Sequence, residues 1–503
     1  MSNHQFNVGR VSGSVTRQGL EAPVVEDVGL RYANPTYAVD WQTKTLNDVC
    51  IKITDGAHNS PKSVMIGKPM ACVKDLTRFG VDLSQARLIA NEDFEALVKQ
   101  GCKPEIGDVL IAKDGNSALD TVCTVKKPLE VVVLSSVAIL RPDPSQLSSD
   151  YLKYYFSSTD VIDYLKSNFI SGAAIPRVVL RDFKKAEIVI PPLEVQDKIA
   201  STLNSFDDRI ALLRETNTTL EAIAQALFKS WFVDFDPVHA NADLLPSPSG
   251  RGAGGEGNYS SSPHPSPLPE GEGVVLPPEI AALFSDSFEA SELGLVPKGW
   301  LVAPIGNVVE IVGGGTPNTK EPEYWEPGEF SWTTPKDLSG LQSPVLLKTE
   351  RLLSAKGVSK VSSGLLPIGT LLLSSRAPIG YLAIAQIPLA INQGYIAILP
   401  SSQLQPLYMY FWLKQNMDVI KSRSNGSTFM EISKKAFRPI PMLVPVAGVL
   451  DKFLDIVNPI FTRLTENEKQ AQNLTTLRDT LLPRLISGQL RLPGAEALTQ
   501  SHS

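Results

Sequence analysis

The second half of the chain repeats the first at a constant distance of 254 residues. The matching residues are Gly172 and Gly426, Phe183 and Phe437, Pro191 and Pro445, Asp197-Lys198 and Asp451-Lys452, Leu220 and Leu474, and Leu227 and Leu481. Solenoid repeats are only about 20–50 residues long, so this period indicates a duplicated unit made of a domain and a following helix. We therefore expect a molecule with approximate two-fold character.

Each copy begins with about 150 residues in which short β-rich runs alternate with glycine and proline turns. Strands are predicted at residues 108–112, 131–134, 371–373 and 395–399, and helices at residues 149–156, with an extension towards Leu165 left open, and 407–413. We predict two similar α+β domains, called globule 1 (residues 41–192) and globule 2 (residues 276–445).

A heptad pattern follows each globule, in residues 193–236 and again in residues 446–490. Apolar residues recur at alternating steps of three and four, which is typical of the seam of a coiled coil. The predicted seam residues are Ile199, Leu203, Phe206, Ile210, Leu213, Asn217, Leu220, Leu227, Phe453, Val457, Ile460, Leu464, Asn467, Leu474 and Leu481. Two long helices forming an antiparallel coiled coil would bury both stripes, and Asn217 and Asn467 would help to set the register. The alternative is that each helix packs independently on its own globule.

The remaining segments have compositions that do not favour a packed core. Residues 1–40 are polar and predict a loose N-terminal arm. Residues 237–275 are rich in Gly, Pro and Ser and predict a disordered linker insertion, with order resuming near Leu276. Residues 491–503 form a short tail.

Composition limits the class of protein. With 43% hydrophobic residues and a mean hydropathy of -0.01, the chain is an ordinary globular protein. It contains neither an apolar run of membrane-spanning length nor an N-terminal signal pattern, so we expect a cytoplasmic protein with its four cysteines as free thiols. The net charge is -6, but residues 194–300 alone carry 16 acidic and six basic side chains. The globules are therefore neutral to mildly basic, which permits nucleic-acid binding without requiring it.

Sequence signatures of catalysis are missing. The chain has no GxxxxGK[ST] phosphate loop, no GxSxG nucleophile elbow, and no histidine spacing suited to zinc. We expect no catalytic residues and no metal site.

Several loops instead carry residues that can read DNA. Arg, Lys, Asn and Gln pair with base edges or phosphates, and Gly and Pro shape the turns that present them. The candidate DNA-binding residues are His58, Asn59, Lys113, Arg177, Arg181, Thr316, Asn318, Lys336, Arg376, Asn392, Gln393, Lys434 and Lys435. The alternative for each is an ordinary turn or capping residue on the surface.

The helical regions resemble those of a known family, the specificity subunits of type I restriction–modification systems. The resemblance is carried by residues 190–200 and 220–237 in the centre and by residues 482–490 at the end. Residues 276–284, 297–300, 368–380 and 391–394 resemble a target recognition domain of that family. The likeness extends over most of residues 41–492 and is interrupted by the Gly/Pro/Ser-rich insertion.

This resemblance implies a DNA-reading subunit that is not an enzyme on its own. Each globule would read one half of a split double-stranded DNA target, and the helices would set the gap. Two methyltransferase subunits would dock and bring S-adenosylmethionine, and restriction subunits would bring ATP and Mg; this chain would bind none of these cofactors. Two other hypotheses are a coiled-coil scaffold that binds proteins without DNA specificity, and an enzyme acting alone.

Overall fold

The computed structural model describes residues 41–172, 176–243, 276–426 and 430–492. These fall into two compact units: unit 1 comprises Met1–Ala200 and Leu482–Ser503, and unit 2 comprises Ser201–Leu481. The predicted arm (1–40), the linker residues 244–275, the tail from residue 493 and the loop residues 173–175 and 427–429 lie outside the described residues.

Unit 1 contains globule 1. Its strands are β1 (Gln42–Thr45), β2 (Cys50–Asp55), β3 (Lys68–Ala71), β4 (Leu76–Thr77), β5 (Gly80–Val81), β6 (Arg87–Ile89), β7 (Val109–Ala112), β8 (Val122–Thr124), β9 (Val132–Val133), β10 (Val137–Pro142), β11 (Ile170–Ser171), β12 (Arg177–Val178) and β13 (Glu187–Ile190). Its helices are α1 (Leu46–Val49), α2 (Asn91–Lys99), α3 (Ser149–Tyr155), α4 (Thr159–Phe169), α5 (Leu180–Phe183) and the first residues of α6 (Leu193–Phe232).

An antiparallel sheet in the order β2-β10-β7-β8 forms the centre of globule 1. Strand β7 is buried along its whole length because its apolar residues pack on both faces. A smaller sheet in the order β6-β3-β9 contains the parallel pair β3 and β9. Strand β1 pairs with β13, directly before α6.

Unit 2 contains globule 2 and most of both long helices. Its strands are β14 (Phe288–Ser291), β15 (Gly294–Pro297), β16 (Leu301–Pro304), β17 (Ile311–Val312), β18 (Phe330–Thr333), β19 (Val345–Leu346), β20 (Arg351–Leu353), β21 (Leu371–Ser375), β22 (Ile379–Ala385), β23 (Leu389–Ile391), β24 (Tyr395–Ile398) and β25 (Pro441–Val444). Its further helices are α7 (Asp236–Asp243), α8 (Pro278–Ala281), α9 (Ile305–Val308), α10 (Pro335–Ser339), α11 (Ala355–Val358), α12 (Pro406–Gln415), α13 (Met417–Ser422), α14 (Lys434–Phe437) and α15 (Ala447–Ile486).

The two globules share one pattern of strand pairing, which confirms the predicted fold class. The sheet β17-β24-β21-β22-β19 of globule 2 repeats the central sheet of globule 1 with one added strand, and β20-β18-β23 repeats β6-β3-β9. The closing pairs also match, since Gln42 faces Ile190 in one globule and Leu301 faces Val444 in the other. The duplication seen in the sequence is therefore a duplication of an α+β fold.

The helix left open towards Leu165 consists of two helices. Helix α3 ends at Tyr155 and α4 begins at Thr159, with Ser158 in an extended conformation before it. The Ser157 hydroxyl donates to the carbonyl of Lys153. The hydroxyl thereby satisfies a carbonyl that has no helical partner at the end of α3.

The long helices run antiparallel within unit 2. Asn467 Nδ2 donates to Asn217 Oδ1 at 2.9 Å, and Asn217 Nδ2 donates to the carbonyl of Leu464 at 3.1 Å. Ten residues earlier on α6, Asp207 accepts from Arg478 Nη1 at 2.6 Å. Contacts that advance along α6 therefore retreat along α15, as an antiparallel pair requires.

Apolar layers fill the space between these polar contacts. Ile210, Leu213 and Ala471 form one buried cluster of the pair. Nearer to globule 2, the rings of Phe228 and Phe453 lie 5.9 Å apart within a large core. The predicted coiled coil is confirmed, and each helix spans 40 residues.

At two predicted seam positions the next residue along the helix is the more deeply buried one. Phe206 and Leu227 are half-buried, whereas the neighbouring Asp207 and Phe228 are buried. Steps of three and of four residues both return to the same face of a helix, and here a step of four precedes the step of three, so the later of the two neighbours is buried. The buried members of the predicted seam are Ile199, Leu203, Ile210, Leu213, Asn217, Phe453, Val457, Leu464 and Asn467, and the half-buried ones are Leu220, Ile460, Leu474 and Leu481.

The predicted disordered linker begins too early. Residues 236–243 form helix α7, and Val238 is fully buried in the core of unit 2. Asn241 Nδ2 donates to the carbonyls of Ala281 and Phe284 at 2.9 and 3.0 Å. The prediction rested on Pro, Gly and Ser content, which rises only after residue 243.

Candidate nucleic-acid interface

In globule 1, four of the five candidate residues gather where β2 and β7 end. Lys113 follows β7, and its ammonium lies 2.9 Å from Asp114 and 3.5 Å from Asp55. Arg177 Nε lies 3.5 Å from Asp114, and His58 Nε2 lies 3.2 Å from Asp55. Positive and negative groups therefore alternate along this network. We call His58, Lys113 and Arg177, with their partners Asp55 and Asp114 and the exposed Asn59 that follows His58, cluster 1.

Members of cluster 1 differ in what they present to solvent. The side chains of His58 and Arg177 are 77% and 63% exposed, so both can reach a ligand. Lys113 is only 5% exposed and lies between two carboxylates. The prediction that Lys113 contacts DNA is therefore corrected, because the flanking carboxylates bury its ammonium and it instead holds the ends of two strands together.

Arg181 lies apart from these contacts. It is on α5, its side chain is 84% exposed, and its Nε is 3.8 Å from Asp182. Such an exposed pair is weak, so the guanidinium can exchange its partner for a phosphate at small cost.

In globule 2 the glycine loop after β17 lies directly against the end of β23. Gly315 N donates to the carbonyl of Ile391 at 3.0 Å. A Cβ on Gly314 would lie 1.8 Å from that carbonyl oxygen, so only glycine fits there. This contact brings Thr316 to Gln393, whose Oε1 accepts from the Thr316 hydroxyl at 2.6 Å.

Two further candidates, Arg376 and Lys434, lie at the same place. Together with Thr316 and Gln393 they form a group that we call cluster 2. Arg376 follows β21, whose Ser375 N donates to the carbonyl of Gly394 at 2.8 Å. A Cβ on Gly313 would come within 2.7 Å of Lys434 Nζ, so this ammonium covers the glycine loop. Cluster 2 therefore occupies the same strand ends in globule 2 as cluster 1 does in globule 1.

The other candidates of globule 2 have local structural roles or stand alone. Asn392 Oδ1 accepts from Gly394 N at 2.8 Å, and Asn318 Oδ1 accepts from Lys320 N at 3.1 Å, as turn residues do. Lys336 is exposed and pairs with Glu350 at 2.8 Å, which raises the pKa of Lys336. Lys435 is exposed in the first turn of α14.

Sequence reasoning missed the carboxylates that pair with these basic residues. Asp55 and Asp114 pair with Lys113, and Glu431 lies 4.0 Å from Arg376. A search for cations and amides passes over carboxylates. A usable signal was present for one of them, since Arg177 and Glu431 are separated by 254 residues and carry opposite charges.

An exposed apolar pair was missed as well. Met65 and Ile66, in the loop that also carries His58, are 93% and 92% exposed. Arg87 holds the base of this loop by donating to the carbonyl of Pro61 at 2.9 Å and to the Ser60 hydroxyl at 2.8 Å. The loop therefore presents apolar area beside polar groups, a surface suited to a macromolecular partner.

Both clusters combine donors and acceptors without a metal-binding arrangement. In the described ranges, no three His, Cys, Asp or Glu side chains come together as metal ligands would. Over the same ranges, no helix is both long and apolar enough to cross a bilayer. Exposed guanidinium, imidazole and amide groups on loops at strand ends are suited to base edges and phosphates.

Comparison with known proteins gives relatives of a single kind. The chain is 36% identical over 189 residues to the type I restriction enzyme MjaIX specificity subunit of Methanocaldococcus jannaschii. The aligned region covers 37% of this chain and 43% of that protein. The chain is 26% identical over 375 residues to the type I restriction enzyme HindI specificity subunit of Haemophilus influenzae, covering 71% of this chain and 81% of that one.

Among solved structures, the S subunit of a type I restriction–modification system from M. genitalium has the same fold. It matches with a TM-score of 0.50 and 18% identity, over 90% of this chain and 98% of that chain. A family model described as the type I restriction modification DNA specificity domain matches residues 38–222 and again residues 297–475. These matches bear out the interpretation of the chain as a specificity component and not an enzyme on its own. Because the two matched regions cover most of the chain, this protein belongs to the family of type I restriction–modification DNA specificity subunits.

Proposed function

We propose that globule 1 and globule 2 each bind one half of a bipartite duplex DNA target. One observation carries the proposal: both globules repeat the same strand pairing and bring an arginine, the exposed Arg177 in one and the half-buried Arg376 in the other, to equivalent strand ends. Two DNA-binding domains with the same fold suit a target that has two half-sites. Different side chains on a common frame allow the halves to differ in sequence.

The helix pair sets the gap between the half-sites. Asn217 with Asn467 and Asp207 with Arg478 are polar contacts inside an apolar seam. A polar residue at such a position disfavours every register in which it loses its partner. The helices therefore act as a spacer of one defined length.

Type I specificity subunits act in complexes with DNA and other restriction–modification subunits. We assign two methyltransferase subunits, which bring S-adenosylmethionine and methylate adenine, to the outer surface of the helices. Leu212 and Ile223 support this because they are 51% and 52% exposed and, 11 residues apart on α6, share one face. The acidic segment 194–300 meets protein, not DNA. Restriction subunits supply ATP and Mg-dependent cleavage, and the complex works in the cytoplasm with its DNA.

The spacer role is tested by lengthening both helices by one heptad. Seven residues inserted after Asn217 and seven before Asn467 keep the seam in register and add about 10 Å. At ~3.4 Å per base pair, the methylated target should gain about three base pairs in its gap. Adenine methylation is mapped in cells carrying the variant chain and its methyltransferase subunit.

Insertion of seven residues after Asn217 alone is the matched control. It breaks the register between the helices and should abolish sequence-specific methylation. A paired insertion that methylates the original target with the original gap would refute the spacer role. Native protein that shows no bipartite target would refute the proposal as a whole.

A further inference from the structure

The two clusters share an equivalent backbone hydrogen bond. Val178 N donates to the carbonyl of Lys113 at 3.0 Å in globule 1, and Ile432 N donates to the carbonyl of Ser375 at 3.0 Å in globule 2. Val178 and Ile432 are one repeat length apart. The residues that follow Lys113 and Ser375, which are Asp114 and Arg376, therefore occupy equivalent positions.

One pair of positions reverses its charge between the globules. In globule 1, Asp114 after the central strand pairs across a β-bridge with Arg177. In globule 2, Arg376 occupies the position of Asp114, and Glu431 occupies the position of Arg177 across the same bridge. Each globule thus keeps one acid and one arginine, but on opposite sides of the bridge.

Neither arginine is saturated by its partner. The separations are 3.5 Å for Arg177 and 4.0 Å for Arg376, and the arginine side chains are 63% and 37% exposed. Asp114 also has a nearer cation, Lys113, at 2.9 Å. Ion pairs that a solvent-accessible arginine makes at such separations stabilise a fold little, so each guanidinium can turn to a ligand at small cost.

We infer that Arg177 and Arg376 are the guanine-reading residues of the two half-sites, with Asp114 and Glu431 as positioning residues that aim them. This inference rests on the proposed function and names its base chemistry. A guanidinium donates two parallel hydrogen bonds to O6 and N7 of guanine in the major groove, the commonest specific contact of arginine with DNA. A carboxylate on the neighbouring strand limits the rotamers of the side chain before DNA arrives.

Because the charges are reversed, the arginine lies on opposite sides of the bridge in the two globules. Neighbouring strands lie about 4.8 Å apart, which exceeds the ~3.4 Å rise of one base pair. Arg177 and Arg376 therefore meet guanines at different places in their half-sites. An identical frame then reads two different sequences, which a bipartite asymmetric target needs.

The test exchanges the two charges in globule 2. The double variant R376E/E431R keeps an ion pair across the bridge but places the arginine where globule 1 has it. We expect the methylated target to change in the half read by globule 2 and to stay unchanged in the other half. The complex with the methyltransferase subunit is used throughout, and its thermal unfolding should match that of the native complex.

A binding measurement identifies the base contact directly. Replacing guanine in the globule 2 half-site by 7-deazaguanine removes N7, and we expect roughly a tenfold loss of affinity for the native complex. R376A should lose affinity for the guanine site by about tenfold to a hundredfold and show no further loss on the 7-deazaguanine site. The control is the swap K356E/E323K, which reverses another exposed pair of globule 2, 2.5 Å apart, and should leave the target unchanged.

An unchanged target in R376E/E431R would overturn the inference, as would equal weakening of R376A on all sequences, which marks a phosphate contact. The native target stays bipartite in both cases, so the proposed function survives them. A native complex with no bipartite target would instead overturn both.

Discussion

Globule 1 and globule 2 have the same frame and different chemistry. Both place a glycine where a loop touches the end of a parallel strand, since a Cβ on Gly56 would lie 2.0 Å from the carbonyl oxygen of Val133, just as one on Gly314 would meet Ile391. Around this shared contact, globule 1 buries a lysine between two carboxylates and globule 2 builds a neutral Thr316–Gln393 pair. Backbone pairing therefore sets where the loops lie, and loop side chains decide what they can bind.

The anchoring of the two globules to their helices differs as well. Gln196, fully buried at the start of α6, donates to the carbonyls of Pro191 and Gln146 and accepts from Ser148 N. One repeat length later stands Leu450, which packs in the core of unit 2. One junction is held by hydrogen bonds and the other by apolar packing, so duplicated positions need only equivalent geometry.

The largest effect is expected in the helix pair, which both globules depend on. Arg478→Leu removes the cation from the buried carboxylate of Asp207, and breaking such a pair costs about 3–5 kcal/mol. Urea unfolding of the full chain should show this loss in the free energy of unfolding of unit 2. Arg463→Leu is the control, because Arg463 is 61% exposed and pairs with the exposed Glu466. Equal effects of the two variants would contradict a structural role for the buried pair.

A shared frame predicts that both globules respond alike to a Cβ at their contact glycines. Gly56→Ala and Gly314→Ala each force a methyl group against a carbonyl oxygen, at a cost of about 1–3 kcal/mol. The midpoint temperature of thermal unfolding should fall by similar amounts in the two variants. Gly340→Ala, which has open space around it, should leave the midpoint unchanged. A loss in only one globule would mean that the frames are not equivalent.

Smaller effects are expected from exposed basic residues that belong to neither cluster. Arg181→Gln in globule 1 and Lys435→Gln in globule 2 should each weaken DNA binding equally on specific and unrelated duplexes. Each should reduce the slope of log affinity against log salt by about one. Binding isotherms at several salt concentrations measure this. A change in sequence preference would show that these residues read bases instead.

The smallest effect is expected in cysteine labelling. This measurement distinguishes the globules because all four cysteines are free and lie in globule 1. Burial raises the pKa of Cys50 and of Cys123 to about 12, so at pH 8 only ~10⁻⁴ of each is the reactive thiolate. Folded protein should leave both unmodified by iodoacetamide, whereas urea exposes them. Mass spectrometry of the labelled chain then reports the unfolding of globule 1 alone. Rapid labelling of folded Cys50 or Cys123 would contradict the packing of this globule.

The regular periodicity of the sequence predicts the fold, but it does not show which distant side chains come together. The offset that pairs Leu220 with Leu474 predicts the duplication, and the heptads predict the antiparallel helices. The burial of Lys113 depends on Asp55, 58 residues earlier, and no local pattern records that meeting. Arg177 and Arg376 were identified by residue type, but their carboxylate partners became visible only once the strands were paired.

The most direct test of the central claim is to exchange one globule. Residues 41–190 are replaced by the corresponding globule of a specificity subunit with a different target, and methylated adenines are mapped by long-read sequencing in cells that also carry the methyltransferase subunit. We predict that one half of the bipartite target changes while the other half and the gap remain. A chimera that retains the whole original target, or changes both halves at once, would contradict the account of two independent readers on one spacer.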